Sequence, residues 1–166
     1  MELTPQFDDW YRGHYGKVLA AAVVCAGGDM ALAEDATSEA FVKALQKWDV
    51  VSEMKSPMGW TITVAANRVR RLHRLRLLRR AREEQFGSAD PAVLNHYNSE
   101  HAHVWEAVAK LSNRQREVLV RRYIHDETQA ATADALGVTP GTAAATLHQA
   151  RARMREELTP NEGTTS

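Results

Sequence analysis

The sequence predicts an all-α protein: two small helical domains joined by a flexible linker, the second containing a helix-turn-helix. Three observations predict it. Apolar residues recur at three- and four-residue spacing through most of the chain, and no stretch shows the β-branched alternation of a strand. Helix-start and helix-stop residues punctuate the periodic stretches. Residues 83–98 lose periodicity and gather Gly87, Ser88, Asp90, Pro91 and Asn95, the composition of a linker. The 166 residues are 44% hydrophobic and 25% charged, which is globular composition. Two halves of about 80 residues would each be near the size where a core is marginal by itself. No apolar run nears the ~20 residues of a membrane span, and Met1, Glu2, Leu3 and Thr4 lack the basic residue of a secretory signal. The one cysteine, Cys25, excludes an internal disulfide and fits a reducing cytoplasm.

Each element has a local reason. Phe7, Trp10, Tyr11, Val18, Leu19, Ala22 and Val23 make the stripe of a first helix, ended by Gly27 and Gly28. Asp29 caps a second helix by accepting hydrogen bonds from its first-turn N–H groups. Leu32, Ala36, Ala40, Ala44 and Trp48 are its stripe. Residues 49–56 break the pattern and read as a loop. Ser56 and Pro57 are a cap and a first-turn proline, opening a helix to about Arg82 with Ile62, Ala65, Val69 and Leu72 inward. After the linker, Val104, Trp105, Val108 and Leu111 pattern a short helix. Ser112 to Gln115 is a capping box, and Val118, Leu119 and Tyr123 continue that helix's core. Thr128 caps a helix through Ala135, and Gly137 is free to take a positive φ at its end. Thr139 and Pro140 open the last helix, with Ala143, Leu147, Ala150 and Met154 inward. Thr159 and Pro160 stop it, and residues 159–166 read as a disordered tail. The expected domains are therefore 1–82 and 99–158.

Residues 128–154 have the helix, glycine-containing turn and helix of a DNA-binding helix-turn-helix, whose second helix projects one face into the major groove. That face would carry Gly141, Thr142, Ala144, Ala145, His148 and Arg151. Thr128, Gln129 and Thr139 stand at helix N-termini, where N–H groups meet phosphates.

Charge is sorted along the chain although its sum is zero. Residues 1–56 hold five Lys/Arg against nine Asp/Glu, net −4. Residues 57–82 hold eight arginines and no acid, net +8. Residues 83–106 are net −5 and residues 107–166 net +1. Eight cations without an acid favour a polyanion.

Several segments together carry a family resemblance. Leu111 to Tyr123, Ala135 to Thr142 and Leu147 to Met154 resemble region 4 of bacterial sigma factors, in particular the extracytoplasmic-function (ECF) group. Phe7 to Tyr11, Ala33 to Leu45, Trp48, Trp60 and Val64 to Arg68 resemble region 2 of the same family. The likeness covers about residues 7–80 and 103–157, in the family's order.

The resemblance implies a cytoplasmic, non-enzymatic subunit of RNA polymerase, without cofactor or metal. Its partners would be the core polymerase, through the largest subunits' clamp helices and the flap region, promoter DNA, and an anti-sigma factor. It assigns Asp35, Ser38, Glu39 and Val42 to the polymerase clamp. It assigns Met54, Lys55, Trp60 and Asn67 to the opened −10 element, where a flipped base needs a receiving pocket. Arg68, Arg70, Arg71 and Arg74 would then follow duplex phosphates upstream. Thr128, Gln129, Thr139, Gly141, Thr142, Ala144, Ala145, His148 and Arg151 would face the −35 element, with Gln149 beside them. The chain departs from the family pattern at Ala144, Ala145 and Thr146, where relatives place longer polar or basic side chains. Alanine offers only a methyl contact to a base edge. Weak direct −35 reading, with heavier reliance on phosphates and the −10 element, is the expectation.

His96, His101 and His103 cluster near the linker, but one cysteine and no fixed scaffold argue against zinc. Cys25 on an Ala/Val-rich helix reads as a small buried hydrophobe. Two other readings compete: a stand-alone helix-turn-helix regulator binding DNA as a dimer, and a helical anti-sigma-binding protein with weakened DNA recognition.

Overall fold

The computed structural model describes residues 5–86, of Phe86 the backbone alone, and residues 101–159. The first module is built on α1 (Pro5–Cys25), α2 (Met30–Gln46), the single turn α3 (Trp48–Val51) and α4 (Pro57–Phe86). α1, α2 and α4 pack against one another in all three pairings. Alanines make this close approach possible: Ala33, Ala36, Ala40 and Ala44 of α2 are all fully buried. Ile62, Ala65 and Val69 of α4 and Val18, Ala21 and Ala22 of α1 complete the core. Dense packing of this kind leaves no space for larger side chains.

The turn between α1 and α2 follows from its glycines. Gly27 and Gly28 have φ of +65° and +90°, values that L side chains resist. They let the Gly28 N–H return to the Val23 carbonyl at 2.9 Å. Asp29 caps α2 as expected, its Oδ1 accepting from the Leu32 N–H at 2.9 Å. At the other end of the module, Phe7, Trp10, Tyr11, Tyr15, Phe41 and Trp48 form one aromatic cluster, with the Phe7 and Trp48 rings edge-to-face at 5.1 Å. That geometry suits the ring quadrupoles and holds α3 in place.

Two expectations are corrected here. The stretch read as a loop begins with α3, whose Val51 is fully buried. α4 continues four residues past Arg82, through a segment read as linker. Glu83, Glu84 and Gln85 are good helix formers, and Arg79 pairs with Glu83 one turn on at 2.6 Å. The rest of the expected linker, residues 87–98, and residues 160–166 of the tail lie outside the described residues.

The second module comprises α5 (Ala102–Ala109), α6 (Asn113–Leu119), a π-helical turn (Val120–Ile124), α7 (Gln129–Leu136) and α8 (Pro140–Leu158). α5, α6 and α7 all rest on α8, which buries Ala143 and Ala150 against them. The caps form as expected. Ser112 Oγ accepts from the Gln115 N–H, and Gln115 Oε1 from the Ser112 N–H at 3.0 Å. Thr128 and Thr139 accept from the N–H groups of Ala131 and Thr142. Gly137 ends α7 at φ +64°. The π turn, closed by His125 N–H on the Val120 carbonyl at 3.0 Å, was not expected. It admits one extra residue and rotates the following side chains. Tyr123, assigned to the core by periodicity, is consequently 61% exposed, and Val120 and Arg121 turn inward instead.

The modules meet where the end of α1 and the start of α4 face α5, α6 and the π turn. Arg116 lies in this seam, only 8% exposed. Its guanidinium donates to the carbonyls of Cys25, Val108 and Ala109 at 3.0, 3.1 and 2.8 Å. Those carbonyls end α1 and α5, where helical acceptors lack intrahelical partners and the dipole favours a cation. One side chain thus closes a helix from each module.

Candidate nucleic-acid interface

α7 and α8 form the helix-turn-helix. Thr139 and Pro140 start α8, and Thr142 shares its hydroxyl hydrogen bond with Thr139 at 2.9 Å. Gly141, Thr142, Ala145, His148, Gln149 and Arg151 are exposed on α8, and Ala144 is half-buried. This face lies away from the packing of α5, α6 and α7, so it is open to a partner. Thr128 is occupied as the α7 cap, and Gln129 Nε2 donates to the Pro140 carbonyl at 2.9 Å. Gln129 therefore bridges the starts of the two helices.

On α4 the arginines divide into two sets. Arg68 lies between Asp35 and Glu39 of α2, at 3.2 and 2.7 Å. Arg70 pairs with Glu117, Arg76 with Asp29 and Arg79 with Glu83. Arg71, Arg74, Arg80 and Arg82 are exposed and have no carboxylate partner among the described residues. Arg68 and Arg70 are thus not the unengaged cations that a run without acids implied, because their acids come from distant parts of the chain. The same contact ties Asp35 and Glu39, assigned to the polymerase, to Arg68, assigned to DNA. Glu39 is held below the usual carboxylate range, first by its hydrogen bond to Lys43 and further by Arg68. Ser38 and Val42 are exposed on the same helix, Val42 at 49%.

A shallow cleft between α2 and α4 brings Glu39, Lys43, Val64, Asn67, Arg68 and Arg71 together. Asn67 is exposed and accepts a short hydrogen bond from Arg70. Trp60 is half-buried against the first core. Lys55 is exposed and Met54 half-buried on the turn before α4.

Sequence reasoning missed Glu117, Arg121 and His125. All three are buried or nearly so at the seam. A cation was to be expected beside the helix end at Cys25 and Gly27, but nothing local says that it comes from residue 116. Cys25 is the buried hydrophobe expected, its thiol pushed up to about 12 by burial. His101 and His103 are exposed, His96 lies outside the described residues, and no group of three metal-ligating side chains occurs among the described residues. No helix among them is long and apolar enough to cross a membrane.

Two helical modules, one with a capped helix-turn-helix and one with an arginine ridge, define a DNA-binding transcription protein. Residues 10–82 match Sigma-70 region 2, and residues 102–154 match Sigma-70 region 4. The ECF RNA polymerase sigma factor SigL of Mycobacterium tuberculosis is 31% identical over 137 residues, covering 79% of this chain and 77% of that protein. The RNA polymerase sigma-E factor of Streptomyces avermitilis is 30% identical over 126 residues, covering 76% and 70%. The sigma factor RpoE of Bartonella quintana, solved in complex with the anti-sigma factor NepR, has the same fold: TM-score 0.70 at 20% identity, over 96% of this chain and all of that one. The chain belongs to the sigma-70 family, in its ECF group. It is accordingly a transcription factor and not an enzyme.

Proposed function

We propose that this chain binds core RNA polymerase in the cytoplasm and directs it to promoters through −10 and −35 contacts. The observation that carries the reading is the exposed face of α8. Thr142, Ala145, His148 and Arg151 stand outside the module's packing, on the helix that the turn at Gly137 projects. In this reading α8 enters the major groove at the −35 element. Two of its four central positions are short side chains, so Arg151 and His148 supply most of the contact. Met54, Lys55, Trp60 and Asn67 receive the opened −10 strand, while Arg71 and Arg74 follow the duplex phosphates. Asp35, Ser38, Glu39 and Val42 form the polymerase-facing side of α2. The domain limits that serve this division are 1–82 and 99–158, with α4 reaching four residues into the linker.

The likeness to a sigma factor solved with its anti-sigma factor supports an inhibitory protein partner of the same kind. The test is transcription. The pure chain, mixed with sigma-free core polymerase and a promoter library, is expected to give promoter-dependent transcripts. Failure to bind the core enzyme would overturn the reading, and duplex binding by a dimer of the chain alone would favour a stand-alone regulator.

A further inference from the structure

Two features of the chain run against the usual rules of a helix, and both stand on one hollow. Gly16 lies in the interior of α1, where glycine is less favourable than alanine. Neither a positive φ nor close packing calls for it, because a Cβ there would meet nothing within 4 Å. The π-helical turn at Val120–Ile124 is the second feature. Such turns are rare and recur at functional sites. Between the two lies a cavity of about 400 Å³, whereas protein interiors leave few voids larger than a water molecule. Places where a chain departs from local rules without gaining in packing are where a site is to be sought.

The hollow is built from both modules. Gly16, Leu19, Ala20 and Val23 recur at three- and four-residue spacing and share one face of α1. Met30, at the start of α2, borders it. Trp105 of α5 and Ile124 of the π turn line it from the second module. Trp105 is seated at Gly28, where φ is +90° and a Cβ would stand 3.1 Å from the Trp105 Cβ. Gly16 and Ala20 are exposed and form the mouth, while Val23 is buried and forms the floor. No lining side chain among the described residues carries a charge, a hydroxyl, a carboxylate or an amide.

We propose that this hollow binds a small, uncharged, apolar molecule of aromatic or branched-hydrocarbon type. Its volume falls within the range of small-molecule sites, roughly 300–1,000 Å³, which are mostly apolar. A charged ligand would lose its water there with no partner to compensate. The short side chains at positions 16 and 20 admit a flat ring close to the backbone of α1. The Trp105 indole and the Met30 thioether offer it aromatic and sulfur contacts. The hollow is held among four elements and is not a groove along one of them, so it suits a compact molecule and not an extended strand or helix of a partner protein. Because the walls come from both modules, occupancy and contact between the modules are linked, and each strengthens the other. The site does not rest on the promoter contacts above.

The probe is N-phenyl-naphthylamine, an uncharged aromatic whose fluorescence rises in apolar surroundings. The full chain is expected to bind it with a Kd of about 10 µM, within reach of a ligand of its size. At about ten times that concentration the probe should raise the melting temperature by about 3–6 °C. Anilinonaphthalene sulfonate, the same skeleton with a charge added, should bind at least about ten-fold more weakly. Gly16→Leu and Ala20→Phe each place a side chain in the hollow and should weaken the uncharged probe at least about ten-fold. Leucine also suits the helix better than glycine, so circular dichroism and the probe-free melting temperature should hold in Gly16→Leu. Leu77→Ser/Leu78→Ser, at the exposed end of α4, should leave binding unchanged. Undiminished binding in both Gly16→Leu and Ala20→Phe overturns the site, as does a loss found only in Leu77→Ser/Leu78→Ser. No binding by the wild-type chain also overturns it, and leaves the hollow to an apolar side chain of a partner protein. Equal or tighter binding of the sulfonate overturns the ligand class.

Discussion

Arg116 closes the C-terminal end of α1 by donating to the carbonyl oxygen of Cys25 at 3.0 Å, across 91 positions of sequence. The same guanidinium ends α5, so its charge serves both modules. No carboxylate among the described residues pairs with it. Helix-end carbonyls hold it, and burial lowers its pKa without depriving it of charge at any ordinary pH.

Arg116→Met is therefore expected to destabilise the chain by about 3 kcal/mol, the cost of leaving buried acceptors unpaired. Arg116→Lys should recover less than half of that loss, since one ammonium cannot reach three carbonyls in a planar fork. Urea denaturation checks both. A midpoint for Arg116→Met within error of wild type would remove the capping role.

The pH dependence should have a definite sign. Burial is the largest cause lowering the pKa of His125, with Arg121 and Lys17 adding to it and Glu127 opposing. His73 is lowered first by burial, then by Arg116 and Arg76, with Asp29 opposing. Both imidazoles are thus neutral in the native state and take up protons more readily once unfolded. Their contribution is complete above the ordinary value of 6.5 and is lost as pH falls below it. Melting temperature should fall from pH 7.5 toward pH 5.5, roughly one unit either side of the ordinary histidine value. His125→Gln should flatten the fall. A curve identical to wild type would show that His125 does not titrate on unfolding.

The arginines without acidic partners set the salt response. If Arg71, Arg74, Arg80 and Arg82 each neutralise a phosphate, log affinity for DNA should fall against log salt with a slope of about −3 to −4 for that set. Arg74→Ala should reduce the slope by about 0.8 and weaken all sequences equally. A loss confined to one base position would reassign Arg74 to reading the sequence. Arg68→Ala should alter the slope little, because Asp35 and Glu39 already neutralise it.

Gly137→Ala tests the turn of the helix-turn-helix. A methyl group there would meet open space, so only the backbone conformation at φ +64° resists it. The expected loss is about 1 kcal/mol, measured by urea denaturation, with Gly137→Asn milder. A larger loss would mean that the turn packs more tightly than the open surroundings show.

Much of this molecule was legible because its signals are local. Asp29, Ser112, Thr128 and Thr139 act on N–H groups three residues away, and Gly137 acts on its own φ. The alanine-rich stripe of α2 marked the inward face of that helix, and the structure added the close approach of two others. The exposed face of α8 followed from the same periodicity. The π turn escaped because one extra residue looks like ordinary helix until the side chains beyond it are placed, and Tyr123 was misassigned for that reason. The arginine run seemed free because its acids, Asp29, Asp35 and Glu117, stand 33 to 47 positions away.

The sequence by itself determined the main helices, their N-terminal caps, the helix-turn-helix and the sorting of charge into blocks. Capping, backbone freedom and hydrophobic period all act within a few residues, so no third dimension was needed to read them. Only the tertiary structure decided which charges remain available. It set Arg68 between two carboxylates, Arg70 against Glu117, and His125 over Gly59. Electrostatic pairing depends on distance through space, and burial on the whole packed chain, so neither can be read from neighbours in sequence.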